Sequence, residues 1–206
     1  MQPELAATIY QQINRSNHYS LWGIYSYSTG ELDMLENAAE SGNDDAMFLL
    51  GEMSYNKTYD KRYQHDAIYW YSKAAEKNNT YAMTELGICY LYGIGFRYID
   101  ESKALHYLNK SADKGHDKAQ YIIGMIYYYG IGIAFEYDFI TDLDFGVTKE
   151  HLYNMKREYW EWQSQPYQNI IETNRNVAIR YLQLAADQEH YFAKQELKEI
   201  YIRENR

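Results

Sequence analysis

Small and apolar residues recur along the chain at helical spacing, and the pattern then repeats. Three stretches align on their alanines: DAMFLLGEMSY from Asp45, YAMTELGICYLYGIG from Tyr81 and KAQYIIGMIYYYGIG from Lys118. Their alanines at positions 46, 82 and 119 lie 36 and 37 residues apart. Because residues three or four positions apart share one face of a helix, each stretch predicts a helix with one closely packing side.

A second block follows each of the first ones: DAIYWYSKAAEK from Asp66, KALHYLNKSADKG from Lys103 and VAIRYLQLAADQE from Val177. In its first copy, Ala67, Tyr71 and Ala75 share a helix face. Glycines at positions 93, 95, 130 and 132 mark the turn between the two blocks, since glycine adopts positive φ at little cost. Each unit is therefore a helix-turn-helix pair that must stack on its neighbours, which predicts an all-α fold, an α-solenoid.

The spacing A-x3-L-G-x2-Y-x2-G-x-G, followed by D-x3-A-x2-Y-x4-A, resembles the Sel-one-like repeat, a relative of the tetratricopeptide repeat. The second repeat matches it best, through Ala82, Leu86, Gly87, Tyr90, Gly93, Gly95, Asp100, Ala104, Tyr107, Ala112 and Gly115. The resemblance implies a right-handed α-solenoid of stacked helix-turn-helix repeats. Lys57, Tyr59 and Lys198 stand where the pattern has glycine, which predicts that the terminal repeats are adapted as caps.

The repeats divide the chain into five predicted parts. Residues 1–43 form a capping helix and a degenerate half repeat, and residues 191–206 form a C-terminal capping helix. Between them lie repeat 1 at 44–79, repeat 2 at 80–116 and repeat 3 at 117–190.

Repeat 3 carries one insertion, at about 137–174, that the repeat pattern does not explain. Its start has four acids and no base: Glu136, Asp138, Asp142 and Asp144. An aromatic segment with Trp160 and Trp162 follows. Three interpretations stay open: a partner-binding element, a cover packed over one solenoid face, or a flexible excursion. Tryptophan is a frequent interface anchor, which favours binding.

The composition narrows the function. Among 206 residues, 20 are basic and 29 acidic, so the formal charge is −9, which argues against general nucleic-acid binding and favours a basic partner. A single cysteine, Cys89, excludes an internal disulfide framework and a cysteine-ligated zinc. Met1 to Tyr10 show no basic segment followed by an apolar one, so we expect no signal peptide, and no apolar run reaches the ~20 residues that span a bilayer. These features predict a cytoplasmic protein without a membrane segment.

No catalytic or cofactor motif stands out. The glycines at 93 and 130 could be mistaken for dinucleotide fingerprints, but Tyr98 and Phe135 replace the third glycine, and each motif follows a helix rather than a strand. The six histidines are scattered, with no pair four residues apart to bind a metal from one helix. We therefore expect a protein that is not an enzyme and needs no cofactor or metal.

In tetratricopeptide-like arrays the first helix of each pair lines an inner groove, and the resemblance implies the same here. Tyr81, Tyr92, Tyr128 and Tyr129 are surplus to the family's packing positions, and tyrosine suits a binding surface. Core packing between helices is the competing interpretation. The predicted partner-binding set combines groove and insertion residues: Phe48, Glu52, Tyr55, Tyr81, Thr84, Ile88, Leu91, Tyr92, Tyr121, Met125, Tyr128, Tyr129, Glu136, Asp138, Asp142, Asp144, Trp160 and Trp162.

These observations predict a non-catalytic protein–protein interaction module, monomeric when free, that binds a basic protein or peptide in a tyrosine-rich concave groove. The alternative is a bacterial immunity protein that neutralises a toxin by tight binding. A nucleic-acid mimic and an enzyme are weaker alternatives. A single tight, salt-resistant partner would favour the immunity role, and several weak partners an adaptor.

Overall fold

The computed structural model describes residues 29–56, 61–96, 99–129 and 174–204. Regular structure in these ranges is α-helical throughout, which confirms the predicted all-α repeat fold; the right-handed sense remains a prediction. The helices are α1 (Thr29–Glu40), α2 (Asp44–Asn56), α3 (Lys61–Glu76), α4 (Thr80–Tyr92), α5 (Glu101–Ala112), α6 (Asp117–Tyr129), α7 (Arg175–Asp187) and α8 (Tyr191–Glu204).

The chain divides into two compact units, Met1–Lys114 and Gly115–Arg206. In the first unit α1 packs against α2, α2 against α3, α3 against α4, and α4 against α5. In the second unit α7 packs against both α6 and α8. The pairs α2/α3, α4/α5 and α6/α7 are thus the predicted helix-turn-helix units, each with a first and a second helix.

A glycine lies at the close approach of the two helices in each pair. A Cβ atom added to this glycine would lie 2.5 Å from a ring carbon in the first pair and 2.7 Å from a leucine Cγ in the other two. Helices with so little between them interlock closely, as ridges enter grooves. The facing residues are Gly51 with Tyr71, Gly87 with Leu108 and Gly124 with Leu182.

The second helices bury the face that the sequence predicts. Ala67, Tyr71 and Ala75 are all buried in α3. The repeat-equivalent residues of α5 and α7 are buried too: Ala104, Leu108 and Ala112, then Ala178, Leu182 and Ala186. The predicted small-residue face of the second helix is therefore confirmed in all three described pairs.

Turns and helix starts follow local chemistry. Gly93 and Gly95 have φ of 68° and 69°, a left-handed conformation that favours glycine and ends α4 as predicted. Asn43 and Asn79 precede α2 and α4, and each side chain accepts a hydrogen bond from the third backbone N–H of its helix. Asparagine is among the best N-cap residues because it satisfies a donor that the helix itself leaves open.

Candidate functional site

Three aromatic rings in the first unit lead from the surface into the core. Tyr81, at the start of α4, is 37% exposed, and its ring centroid lies 5.7 Å from that of Phe48 on α2. Phe48 is buried, and its centroid lies 6.1 Å from that of Tyr71 on α3. We call Tyr81, Phe48 and Tyr71 the aromatic ladder; its outer end, Tyr81, is the part that a partner can reach.

Two carboxylates lie in the first turn of α2, the helix that also carries Phe48 of the ladder. Asp44 and Asp45 begin α2, and the Asn79 side chain donates hydrogen bonds to Asp44 Oδ2 at 3.2 Å and to Asp45 Oδ1 at 3.0 Å. Burial raises the pKa of Asp45, the charge of Asp44 raises it further, and the hydrogen bond from Asn79 opposes both. The first unit therefore holds two carboxylates, of which Asp45 is partly desolvated, through Asn79, which lies two residues before Tyr81 along the chain.

The inner end of the ladder holds another carboxylate in place. Tyr71 is fully buried, and its hydroxyl donates to Glu52 Oε1 at 2.6 Å. In the other described pairs the position of Tyr71 is occupied by leucine. Because Gly51 has no side chain, the ring of Tyr71 can lie against it and reach the carboxylate on α2. Burial raises the pKa of Tyr71 well above its usual value, and the nearby Glu52 carboxylate adds to this.

Further polar groups surround this contact in the interior of the first unit. Tyr55 is buried, and burial is the main reason that its pKa lies well above the usual value. The nearby Cys89, Glu85 and Glu52 raise the pKa further. Cys89 is itself buried, so a substrate cannot reach the thiol, as expected for a structural cysteine. The cluster is thus a polar part of the core that lies below the surface of α2 and α4.

Several residues predicted to line an open groove are buried instead. Thr84, Ile88, Leu91 and Tyr92 lie in the interior of the first unit, with Tyr92 only 2% exposed. The reason is that α4 packs against both α3 and α5, and ten of its 13 residues are buried. Thr84, for example, shares a 2.8 Å hydrogen bond with Ser111 on α5. Of the tyrosines predicted to be surplus to the packing positions, Tyr92 therefore lies in the core, together with the predicted groove residues Thr84, Ile88 and Leu91.

In the second unit, the predicted residues of α6 are covered to different extents. Tyr121 and Met125 are buried, whereas Tyr128 is half-buried. The ring of Tyr121 lies 4.7 Å from that of His190 and 6.3 Å from that of Phe192, at the start of α8. The Tyr121–Phe192 contact is the counterpart of Phe48–Tyr81 in the first unit, since both partners lie at equivalent repeat positions.

Of the remaining predicted residues, one set lies outside the described part of the chain. It comprises the Tyr129 side chain together with Glu136, Asp138, Asp142, Asp144, Trp160 and Trp162. Among the predicted residues in the described part of the chain, three are not buried: Glu52, Tyr81 and Tyr128. The sequence prediction missed Asn79, although an asparagine three residues before a buried alanine is a helix-start signal.

The sequence model of the Sel1 repeat matches residues 44–79, 80–116, 117–135 and 168–190, more than half of the chain. The chain belongs to the Sel1 repeat family. Sel1 repeats generally mediate protein–protein interaction. Comparison with curated proteins gave no match. None of the helices in the described ranges has the length and apolar character needed to cross a membrane.

Two solved structures are similar to the chain. One is a Sel1 repeat protein from Oxalobacter formigenes, with 19% identity and a TM-score of 0.44 over 82% of this chain and 59% of the other. The second is a protective antigen present in uropathogenic Escherichia coli strains displaying an SLR fold, with 23% identity and a TM-score of 0.44 over 84% of this chain. The match covers 44% of that antigen, so the chain spans less than two thirds of either protein.

Proposed function

We propose that this Sel1 repeat protein is a non-catalytic binding module whose first unit contacts a basic protein or peptide around Tyr81, Asp44 and Asp45. The observation that supports this most directly is that Tyr81 is exposed and follows by two residues Asn79, whose side chain donates to both carboxylates. An arginine or lysine of the partner would find an aromatic face and negative charge within one small area. Cation–π contacts and charge-assisted hydrogen bonds both favour such a cation.

The side chains of this proposed surface are already held in place in the free protein. The hydrogen bonds from Asn79 hold Asp44 and Asp45, and the contact with Phe48 supports Tyr81 from below. Ordering these side chains in advance lowers the entropy that association costs. A tyrosine anchor with fixed carboxylates beside it therefore fits a specific contact better than a mobile acidic surface would.

Net charge supports the same kind of partner at longer range. A formal charge of −9 attracts a cationic protein and speeds its encounter, an effect that salt weakens. We expect the association rate to fall as ionic strength rises, while contacts around Tyr81 act mainly on the dissociation rate. The proposed module is monomeric when free and acts in the cytoplasm.

The test is to find the partner by affinity capture with the full chain and then measure binding of the purified candidate by calorimetry. Tyr81→Ala and Asp45→Asn should each weaken binding by about 5- to 150-fold, the range of interface hot spots. Tyr201→Ala is the matched control, because Tyr201 is 70% exposed but lies on α8 in the second unit. Equal affinities for all three variants would contradict the proposed surface.

The same measurement separates the two roles that the sequence leaves open. A single partner bound one-to-one, tightly and with little effect of salt would support the immunity alternative, in which the chain neutralises a toxin. Several weaker, salt-sensitive partners would support an adaptor. In either case the effect of Tyr81→Ala reports whether the first unit supplies the contact.

A further inference from the structure

The side chain that caps α8 in the second unit differs from those that cap α2 and α4 in the first unit. In the first unit, Asn43 Oδ1 accepts from Ala46 N–H at 2.8 Å, and Asn79 Oδ1 accepts from Ala82 N–H at 3.0 Å. In the second unit, His190 fills the same position before α8, and its Nδ1 accepts from Ala193 N–H at 3.2 Å. Asparagine cannot titrate, whereas histidine gains a proton near neutral pH.

The hydrogen bond fixes the state of the His190 ring. An imidazole nitrogen that accepts a hydrogen bond carries no proton, so the ring is neutral with its hydrogen on Nε2. A proton on Nδ1 would turn the acceptor into a donor that points at another donor. It would also place a positive charge at a helix N-terminus, where the helix dipole already concentrates positive charge.

The surroundings of the ring contain charged and titratable groups from each neighbouring segment. The start of α6 contributes His116, Asp117 and Lys118, and α6 also contributes Tyr121, whose ring lies 4.7 Å from His190. On its own side, Phe192 lies 6.2 Å away, and Lys194 pairs with Glu189. The last turn of α7 carries Asp187, which accepts a hydrogen bond from Gln183.

The balance of these surroundings favours the neutral ring. Burial lowers the pKa of His190, Asp117 opposes this, and Lys118 lowers the pKa further. His116 responds in the same direction: burial lowers its pKa to about 4, Asp117 opposes the shift, and Lys118 and His190 add to it. Burial and the charge of Lys118 therefore oppose the protonation of both neighbouring imidazoles, His116 and His190.

We propose that His190 makes the docking of α8 sensitive to pH: a proton on Nδ1 breaks the cap to Ala193 and releases the first turn of α8 from Tyr121. In the first unit, Asn43 and Asn79 cap α2 and α4, and asparagine does not titrate. The first turns of these two helices should therefore stay capped at acid pH. Acidification would thus loosen one end of the second unit selectively. It would also uncover Tyr121, which α8 covers at neutral pH.

The sign of the effect follows from the direction of the shift. The ordinary histidine pKa is 6.5, and the folded state holds His190 below it. The stabilisation is therefore complete above pH 6.5 and is lost as the pH falls from that value through the folded-state pKa. This pH response is a property of the free chain and does not require a partner.

Hydrogen exchange of the full chain between about pH 7.5 and about pH 4.5 tests the proposal, with rates corrected for the intrinsic effect of pH. We expect exchange of the Ala193 and Lys194 amides, which donate to His190, to become about tenfold faster at the acidic end, as for the loss of one N-cap. Amides of α4, capped by Asn79, serve as the internal reference and should change much less.

His190→Asn is the decisive variant, because it keeps an N-cap side chain but removes the titration. Its α8 should stay equally protected over the whole pH range. His190→Ser repeats the test with a second capping residue, so that a folding defect in one variant does not decide the outcome. If α8 of the wild type is equally protected at both pH values, or if both variants show the wild-type acid response, the proposal is wrong.

Discussion

The hydroxyl of Tyr71 donates to the carboxylate of Glu52 at 2.6 Å, and this contact joins α3 to α2 inside the first unit. Tyr71 can reach Glu52 because Gly51 leaves its side of α2 open. The equivalent leucines of the other pairs cannot make such a bond. The first pair thus carries a tyrosine–carboxylate hydrogen bond at the position where the other described pairs have leucine.

Removing the hydroxyl measures this link. Tyr71→Phe keeps the ring but deletes the donor to Glu52, and we expect it to lower the free energy of unfolding by about 1–3 kcal/mol, the range for a buried hydrogen bond to a charged group. Urea denaturation of Tyr71→Phe, Glu52→Gln and the double variant isolates the pair. A coupling energy near zero would show that the bond contributes nothing.

The close contact between Gly87 and Leu108 predicts a second effect. Gly87→Ala would place a Cβ atom 2.7 Å from Leu108 Cγ, so the helices must move apart, at a cost of about 1–3 kcal/mol. Combining it with Leu108→Ala makes room, so the two destabilising effects should be less than additive. Thermal and urea denaturation of both single variants and the double variant measure this; additive losses would contradict the steric explanation.

Alanine substitutions of Tyr92 and Tyr81 should affect stability to different extents, because Tyr92 lies in the core and Tyr81 at the surface. Tyr92→Ala empties a buried site in α4 and should cost about 3–5 kcal/mol, as for large aromatic side chains in cores. Tyr81→Ala removes a side chain that is 37% exposed and should cost much less, within about 1 kcal/mol. Denaturation curves of the two variants provide the comparison. Similar losses from both would place Tyr81 in the core.

The burial of Tyr92 also marks the limit of the sequence prediction. Periodicity identified the helix pairs, the closely packing side of each first helix and the buried face of α3, because those features repeat with the chain. It predicted that the pairs stack, but it did not show which side chains of α4 the neighbouring helices would bury, because the repeat pattern does not fix how far each helix face is covered. The predicted groove therefore retained Tyr81 but lost Tyr92 and Leu91 to the core.

A pH dependence of stability follows from the two histidines of the second unit. Between pH 6.5 and about 4 the unfolded chain binds more protons than the folded one, so the free energy of unfolding should fall as the pH falls. The slope is at most about 1.4 kcal/mol per pH unit for each histidine. Denaturation at several pH values measures it.

The matched control for this prediction is His106→Asn, because His106 is exposed on α5 in the first unit. It should keep the wild-type slope, whereas the double variant His116→Asn, His190→Asn should flatten it in this window. A slope that the double variant leaves unchanged would assign the acid sensitivity to carboxylates instead.

The sequence alone did not predict this behaviour. His116 and His190 lie 74 residues apart, each at a turn between repeats, and the scatter of the histidines argued against a metal site without showing that these two come close together. Their proximity depends on the folding of the second unit, in which α7 packs against both α6 and α8 and the ring of His190 lies 4.7 Å from that of Tyr121 on α6. Knowledge of the repeat register is required before Asn43, Asn79 and His190 can be compared as one position.

The glycine contacts within the helix pairs have a consequence for how such proteins diversify. Because Gly51, Gly87 and Gly124 each hold a pair together from the inside, outward-facing residues are free to change without altering the spacing of the helices. Mutation can then remodel one recognition surface at a time, and Tyr81 could be exchanged for another anchor while the scaffold beneath it persists.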